Sequence, residues 1–244
     1  MERNKRNGSR NIYCSLSKIN LLLTDSQLSQ FEKYASFLLE YNMHTNLTAI
    51  RTKEDVYLKH FYDSLLFTQY IDLNKVKTIV DVGTGAGFPG LVLKIMYPHL
   101  SLTLIESNKK KCTFLKQVIK HLELDRIEVK NERSETFALS HLDFFDVVTA
   151  RAVTHLTVLS ELCLPLVKIG GYFIPLKGEL LEELEQSQNI IKTLNGEIEN
   201  TYHYRLPIEN AARSIVKIKK IGHTPANYPR PFDKMKKALK KTKK

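Results

Sequence analysis

The chain has 244 residues, 43% of them hydrophobic, enough for one large α/β domain with an appendage and a full core. It has no apolar run near the roughly eighteen residues of a membrane span, and its basic N-terminus lacks the apolar stretch of a signal peptide. The three cysteines, Cys14, Cys112 and Cys163, are widely spaced, which fits a reducing cytoplasm better than a disulfide framework or a zinc site.

The net charge of +11 is unevenly placed. Residues 1–18 hold five Lys/Arg and one Glu, and residues 228–244 hold eight Lys/Arg and one Asp. The remaining residues carry 24 charges of each sign. Basic ends on a neutral body predict contact with a polyanion such as nucleic acid; a merely solvated tail is the alternative.

In chain order, residues 1–20 read as a flexible basic tail. Thr24 and Gln27 form a possible capping box for a helix to about Tyr41. Along it Leu28, Phe31, Tyr34, Ala35, Leu38 and Leu39 recur at helical spacing. A polar turn over 42–46 follows. Thr52 and Asp55 resemble a second capping box, before a helix carrying Val56, Leu58, Phe61, Leu65 and Leu66. Residues 21–75 thus read as an N-terminal helical cap.

From Val76 strands and helices alternate. Strands fall near 78–83, 101–106, 126–130, 145–150 and 171–176, and helices near 89–97, 108–122, 155–165 and 179–194. Such alternation predicts a mainly parallel sheet with helices on both faces. Runs 197–205 and 213–221, with no helix between them, predict a closing antiparallel hairpin. The body, 76–227, is then an α/β, Rossmann-like unit, and 228–244 a basic C-terminal tail.

The most informative stretch is TIVDVGTGAGFPG, residues 78–90. A β-branched run ends in Gly83, Gly85 and Gly87, and a helical pattern follows. Glycines there let backbone N–H groups approach a ligand without an intervening Cβ. A second apolar run ends in Glu106, where an acid is placed to bind a ribose diol. The dinucleotide fingerprint requires a third glycine at 88, which is Phe88. The pattern resembles instead the first motif of class I S-adenosylmethionine methyltransferases, which implies that cofactor.

Other chemistries lack their residues. There is no G-x-S-x-G elbow, H-E-x-x-H or P-loop, and His121, His141 and His155 lack metal-ligand spacing, so no metal site is expected. The fourth strand, DVVTARAV (146–153), carries no proline-rich amine-binding motif. Cys112 and Cys163 lie inside predicted helices, away from the position of a cytosine-attacking nucleophile. By elimination, the acceptor is expected to be a ring nitrogen with a free lone pair, which needs only in-line positioning. Arg151 ends the fourth strand, where ligands of open α/β sheets bind. It can hold a cofactor carboxylate, a phosphate or guanine O6, or pair with a surface acid.

Several segments together resemble one family: NLTAI (46–50), KHFYDSL (59–65), DVGTGAGFPG (81–90), ERSETF (132–137), ARA (150–152) and LKG (176–178). They are similar to the bacterial 16S rRNA guanine-N7 methyltransferases called RsmG or GidB, over roughly residues 25–230. The resemblance implies a seven-stranded class I methyltransferase sheet; a cytoplasmic enzyme is expected, and the sequence gives no oligomeric state, a monomer being favoured. It implies S-adenosylmethionine as donor, N7 of a guanine in the decoding-region loop of 16S rRNA as acceptor, and the rRNA or the small ribosomal subunit as partner. Gly83, Phe88, Ser134, Glu135 and Arg151 correspond to cofactor contacts, and Glu106 to the ribose acid. His60 and Asp63, at i and i+3, correspond to a helical face bordering the substrate cleft, although a buried structural pair fits them as well. Lys177 follows the fifth strand within reach of an RNA phosphate or the guanine, or is a solvated lysine. The C-terminus departs from the family pattern by running into lysines. A noncatalytic RNA-binding protein on the same fold and a nicotinamide-dependent oxidoreductase are the rival readings.

Overall fold

The computed structural model describes residues 21–151 and 153–242. The N-terminal tail with Cys14, and Ala152, the last residue of the ARA segment, lie outside the described residues. Helix α1, Asp25–Thr45, starts at the expected capping box, Thr24 Oγ1 accepting the Gln27 N–H and the Gln27 side chain accepting the Thr24 N–H. It runs past Tyr41, through the expected polar turn. The reason is Asn42, a buried side chain that donates to the carbonyls of Thr48 and Ile50 and accepts from the Thr48 N–H. Asn46, at φ 49°, ends the helix. A composite helix follows: α2, Lys53–Asp55; a π-helical segment, Val56–Tyr62; and α3, Asp63–Leu66.

Seven strands form one sheet: β1 Thr78–Val82, β2 Ser101–Ile105, β3 Ile127–Lys130, β4 Phe145–Arg151, β5 Val167–Lys177, β6 Gly196–Arg205 and β7 Ala212–Lys220. Their order is β3-β2-β1-β4-β5-β7-β6. The first five pair in parallel, and β7 lies antiparallel between β5 and β6, as the hairpin reading expects. The remaining helices are α4 Gly90–Met96, α5 Lys109–His121, α6 Ser134–Ala138, α7 Leu156–Cys163, α8 Leu181–Thr193 and α9 Phe232–Thr242. This is the class I methyltransferase fold.

Strand β5 starts earlier than expected. Its register against β4 jumps from Phe145–Val167 to Val147–Tyr172, so residues 168–171 bulge. Gly171 permits this, because a Cβ there would sit 2.6 Å from the Asp146 carbonyl. The predicted C-terminal tail is also corrected. Residues 232–242 form a helix whose Met235 is buried, with Phe232 and Leu239 packed on the same core.

Successive strand residues point to opposite faces and fill two cores. Ile79, Leu104, Val147 and Ile174 join a cluster with Phe31, Tyr34 and Leu38 of α1, Phe61, and residues of α4 and α5. Val80, Ile105, Val148 and Phe173 join a second cluster with residues of α6, α7 and α9. Between β1 and β4 the strand order reverses, which opens a crevice outside their carboxyl ends, the usual ligand position in such sheets. No helix among the described residues is long and apolar enough to cross a membrane.

Candidate active site

The glycine loop follows β1 directly. Gly83, Gly85 and Gly87 all take positive φ, a conformation side chains resist. The Gly83 N–H donates to the Ile105 carbonyl (2.9 Å), tying the loop to the end of β2. A Cβ on Gly85 would meet nothing within 4 Å, so the backbone there borders open space. At the end of β2, Glu106 receives the Gly85 N–H on Oε2 (3.1 Å) and the Asn108 N–H on Oε1 (2.8 Å). A carboxylate offers about four lone-pair sites, so capacity for a diol remains.

These groups border a cavity of about 240 Å3 whose lining includes Gly83, Glu106, Ser134 and Glu135. Ser134 opens α6, and its hydroxyl donates to the Leu162 carbonyl (2.8 Å), which fixes α6 against α7. Four of the expected cofactor residues therefore converge, and Gly85 reaches them through Glu106. Arg133, Val153, Thr154, Phe232 and Lys236 also line this cavity and escaped sequence reasoning.

Gly87 and Phe88 lie outside that lining and brace the loop from behind. A Cβ on Gly87 would sit 2.6 Å from Tyr34 Oη, so the glycine makes room for this hydroxyl, which donates to the Ala86 carbonyl. Phe88 is buried between Tyr34, whose ring centroid lies 5.4 Å away, and His60, at 4.2 Å. Asp81 is buried beneath the loop. Its Oδ2 accepts from Thr84 Oγ1 (2.6 Å) and the Gly90 N–H (2.8 Å), while Oδ1 has no partner among the described residues. Burial pushes its pKa up to about 6.

Arg151, at the end of β4, belongs to a second cluster and does not line the cavity. Its Nη1 donates to the Lys59 carbonyl (3.0 Å) and to Asp63 Oδ2 (3.2 Å), and its Nη2 meets His60 Nδ1 (2.8 Å). The guanidinium also lies 5.1 Å from the Phe88 ring centroid. Asp63 Oδ1 accepts from Tyr204 Oη (3.0 Å) and faces Arg213 Nε (3.5 Å). His60 Nε2 meets Thr48 Oγ1 (3.1 Å). Burial and the nearby Arg151 charge push the His60 pKa down to about 3, which keeps the ring neutral and able to accept from the guanidinium. His60 and Asp63 thus both contact Arg151, as the alternative of a buried structural pair would have it. Lys177 is also engaged, donating to the Thr154 carbonyl (2.7 Å) and pairing with Glu183 (2.7 Å).

A larger hollow of about 710 Å3 opens elsewhere, lined by Tyr70, Lys75, Asp146, Lys168 and Tyr172 among others. It lies near the starts of β1 and β4, opposite the sheet edge where ligands bind, so the smaller cavity is the better candidate despite its size.

Known proteins bear on this geometry. A family model described as GidB, rRNA small subunit methyltransferase G, matches residues 27–211. The chain belongs to the GidB family. Ribosomal RNA small subunit methyltransferase G of Bacillus subtilis strain 168 is 48% identical over 218 residues, covering 88% of this chain and 91% of the relative. The Listeria monocytogenes serotype 4b protein of the same name is 44% identical, covering 88% and 92%. Among solved structures, the YcgJ protein of B. subtilis has a TM-score of 0.53 at 10% identity, covering 67% of this chain and all of that one. A SAM-dependent O-methyltransferase of Thermotoga maritima gives 0.52 at 16%, covering 77% and 72%. These structural likenesses carry the fold. The GidB match takes in α1 and the whole sheet up to the start of β7, and stops short of α9.

Proposed function

We propose that this chain transfers a methyl group from S-adenosylmethionine to N7 of a guanine in the decoding-region loop of 16S rRNA. GidB membership carries the reaction class and the rRNA substrate. The observation that carries the site is the convergence of Gly83, Glu106, Ser134 and Glu135 on one cavity at the carboxyl edge of the sheet. Glu106 would hold the ribose diol, the bare backbone of Gly85 would admit the donor, and α6 would flank the adenine. When bound, the donor supplies an electrophilic methyl on a sulfonium.

The protein's task is then to present an acceptor lone pair in line with that methyl. Two titratable side chains at this edge are already engaged. His60 is neutral between Arg151 and Thr48, and Lys177 is paired with Glu183. That arrangement suits an acceptor with no proton to lose, such as guanine N7. Arg151, set by His60 and Asp63, would orient the donor or the base. Lysines of α9 and the basic N-terminal residues would contact RNA phosphates without reading sequence. An rRNA substrate supports the reading that this work is done in the cytoplasm.

The test maps the product. N7-methylation leaves a ring that borohydride and aniline cleave. One such cleavage in 16S rRNA is expected with the active protein and none with Arg151→Ala. The single-turnover rate should stay nearly flat from about pH 6.5 to 9, because no acceptor proton must leave. A methyl on a ribose, an exocyclic amine or a carbon would overturn the proposal.

A further inference from the structure

Helix α9 was expected to be a charged tail, yet it is a built part of the molecule. Its approach is anchored at Arg230, whose backbone N–H and Nε both donate to Glu161 Oε1 (2.8 Å each) and whose Nη2 donates to Oε2 (2.6 Å). Glu161, on α7, is only 1% exposed. A forked, charge-assisted pair at a buried carboxylate is among the stronger polar contacts a chain can make. One turn on, Phe232, Met235 and Leu239 recur at i, i+3 and i+7 and pack on the second core. The exposed Lys234, Lys237 and Lys240 occupy the rest of the helix surface.

The cavity side of α9 is distinctive. Phe232 and Lys236 line the same cavity as Gly83, Glu106, Ser134 and Glu135. Phe232 is half-buried, with the Arg133 guanidinium 4.7 Å and the Lys236 ammonium 4.6 Å from its ring centroid. Cations against the ring hold it and keep it oriented. An adenine offers a flat apolar face and acceptor ring nitrogens, which match an aromatic ring beside an ammonium.

We propose that α9 forms one wall of the methyl-donor site, with Phe232 and Lys236 meeting the adenine end of S-adenosylmethionine. This rests on the donor-site reading above and extends it to a helix beyond the matched family region. One side of α9 thereby serves the donor while Lys234, Lys237 and Lys240 face solvent, where a polyanion arrives.

Calorimetry on the full chain, with S-adenosylhomocysteine and adenosine as separate probes, tests this. Phe232→Ala is expected to weaken both by a similar factor of about ten, because the lost contact is to the shared adenosine. Phe232→Leu retains the packing on Met235 and Leu239 and is expected to weaken both by about threefold, with an unchanged melting temperature. Lys236→Met should act in the same direction. Glu106→Ala, across the cavity, serves as the reference. If Glu106→Ala weakens both probes while Phe232→Leu and Lys236→Met bind like the parent, α9 is not a wall and the donor site stands. If Glu106→Ala also binds like the parent, the donor site lies elsewhere and both readings fall.

Discussion

The candidate donor cavity and the Arg151 cluster sit at neighbouring strand ends, yet their polar groups are differently occupied. In the cavity, Glu106 accepts two backbone N–H groups and has room for more, and Gly85 borders open space. In the cluster, both terminal nitrogens of Arg151 are engaged, and Asp63 serves Arg151, Tyr204 and Arg213 at once. Residues at the same sheet edge can therefore have opposite duties. An open, polar-lined hollow is arranged to receive something. A filled network is arranged to keep one guanidinium still.

The largest expected effect is on stability. Asp63 is 3% exposed, and Asp63→Ala removes the only carboxylate among the described residues paired with the Arg151 charge and the acceptor of the Tyr204 hydroxyl, leaving Arg151 the Lys59 carbonyl and His60. Breaking a buried pair on one side costs about 3–5 kcal/mol. For a chain of this size that is a melting temperature lower by about 10 °C, with donor affinity within about threefold of the parent. A variant that melts like the parent but loses the methyl-transfer step would break the comparison and move Asp63 into contact with substrate.

Next in size is a pH effect. The folded His60 pKa, about 3, lies below the ordinary value near 6.5. On acidification the unfolded chain takes up the proton first. The stabilisation from a neutral His60 is thus complete above about pH 6.5 and declines as pH falls toward 3. Asp81 works in the opposite sense. Its pKa is raised to about 6, so its contribution to stability grows as pH drops below that value. Subtracting one protein from another isolates the histidine. Denaturation of the parent and of His60→Gln at pH 7 and pH 5 should show the parent losing about 1–2 kcal/mol more than the variant. Parallel curves would mean that His60 is not locked neutral against Arg151.

The smallest expected effect sharpens the other side. Glu106→Gln keeps one oxygen acceptor and removes the charge. Affinity for S-adenosylmethionine should fall about tenfold, near 1.5 kcal/mol, while melting stays within about two degrees of the parent. If instead melting falls sharply and affinity holds, Glu106 is a loop clamp, and the cavity is closer in kind to the Arg151 cluster.

Much of this was readable in the sequence, because strands buried on both faces announce themselves as β-branched runs and because Gly83, Gly85 and Glu106 keep fixed offsets from them. Four things were not. The extension of α1 depends on Asn42 reaching Thr48 and Ile50, a contact that residue types alone do not reveal. The acid paired with Arg151 lies 88 positions away, so residue types alone set a ligand role only against pairing with some surface acid. Helix α9 was hidden by its own lysines. The signal was there in Phe232, Met235 and Leu239 at helical spacing, but a charge run reads as solvated until the surface beneath it is known. Arg133, Val153 and Thr154 had no local signal, since only the fold brings them to the cavity.

The fit between Tyr34 and Gly87 has a consequence for modularity. The helical extension inserts a hydroxyl into a notch that exists only because Gly87 lacks a Cβ, and it continues through Phe88 to His60 as a run of stacked rings. The two parts of the chain are therefore not exchangeable cassettes. A chimaera with a foreign helical extension would have to bring an aromatic ring and a hydroxyl to the same notch. Otherwise the glycine loop would lose its backing on the side away from the cavity, and its shape would no longer be set from behind.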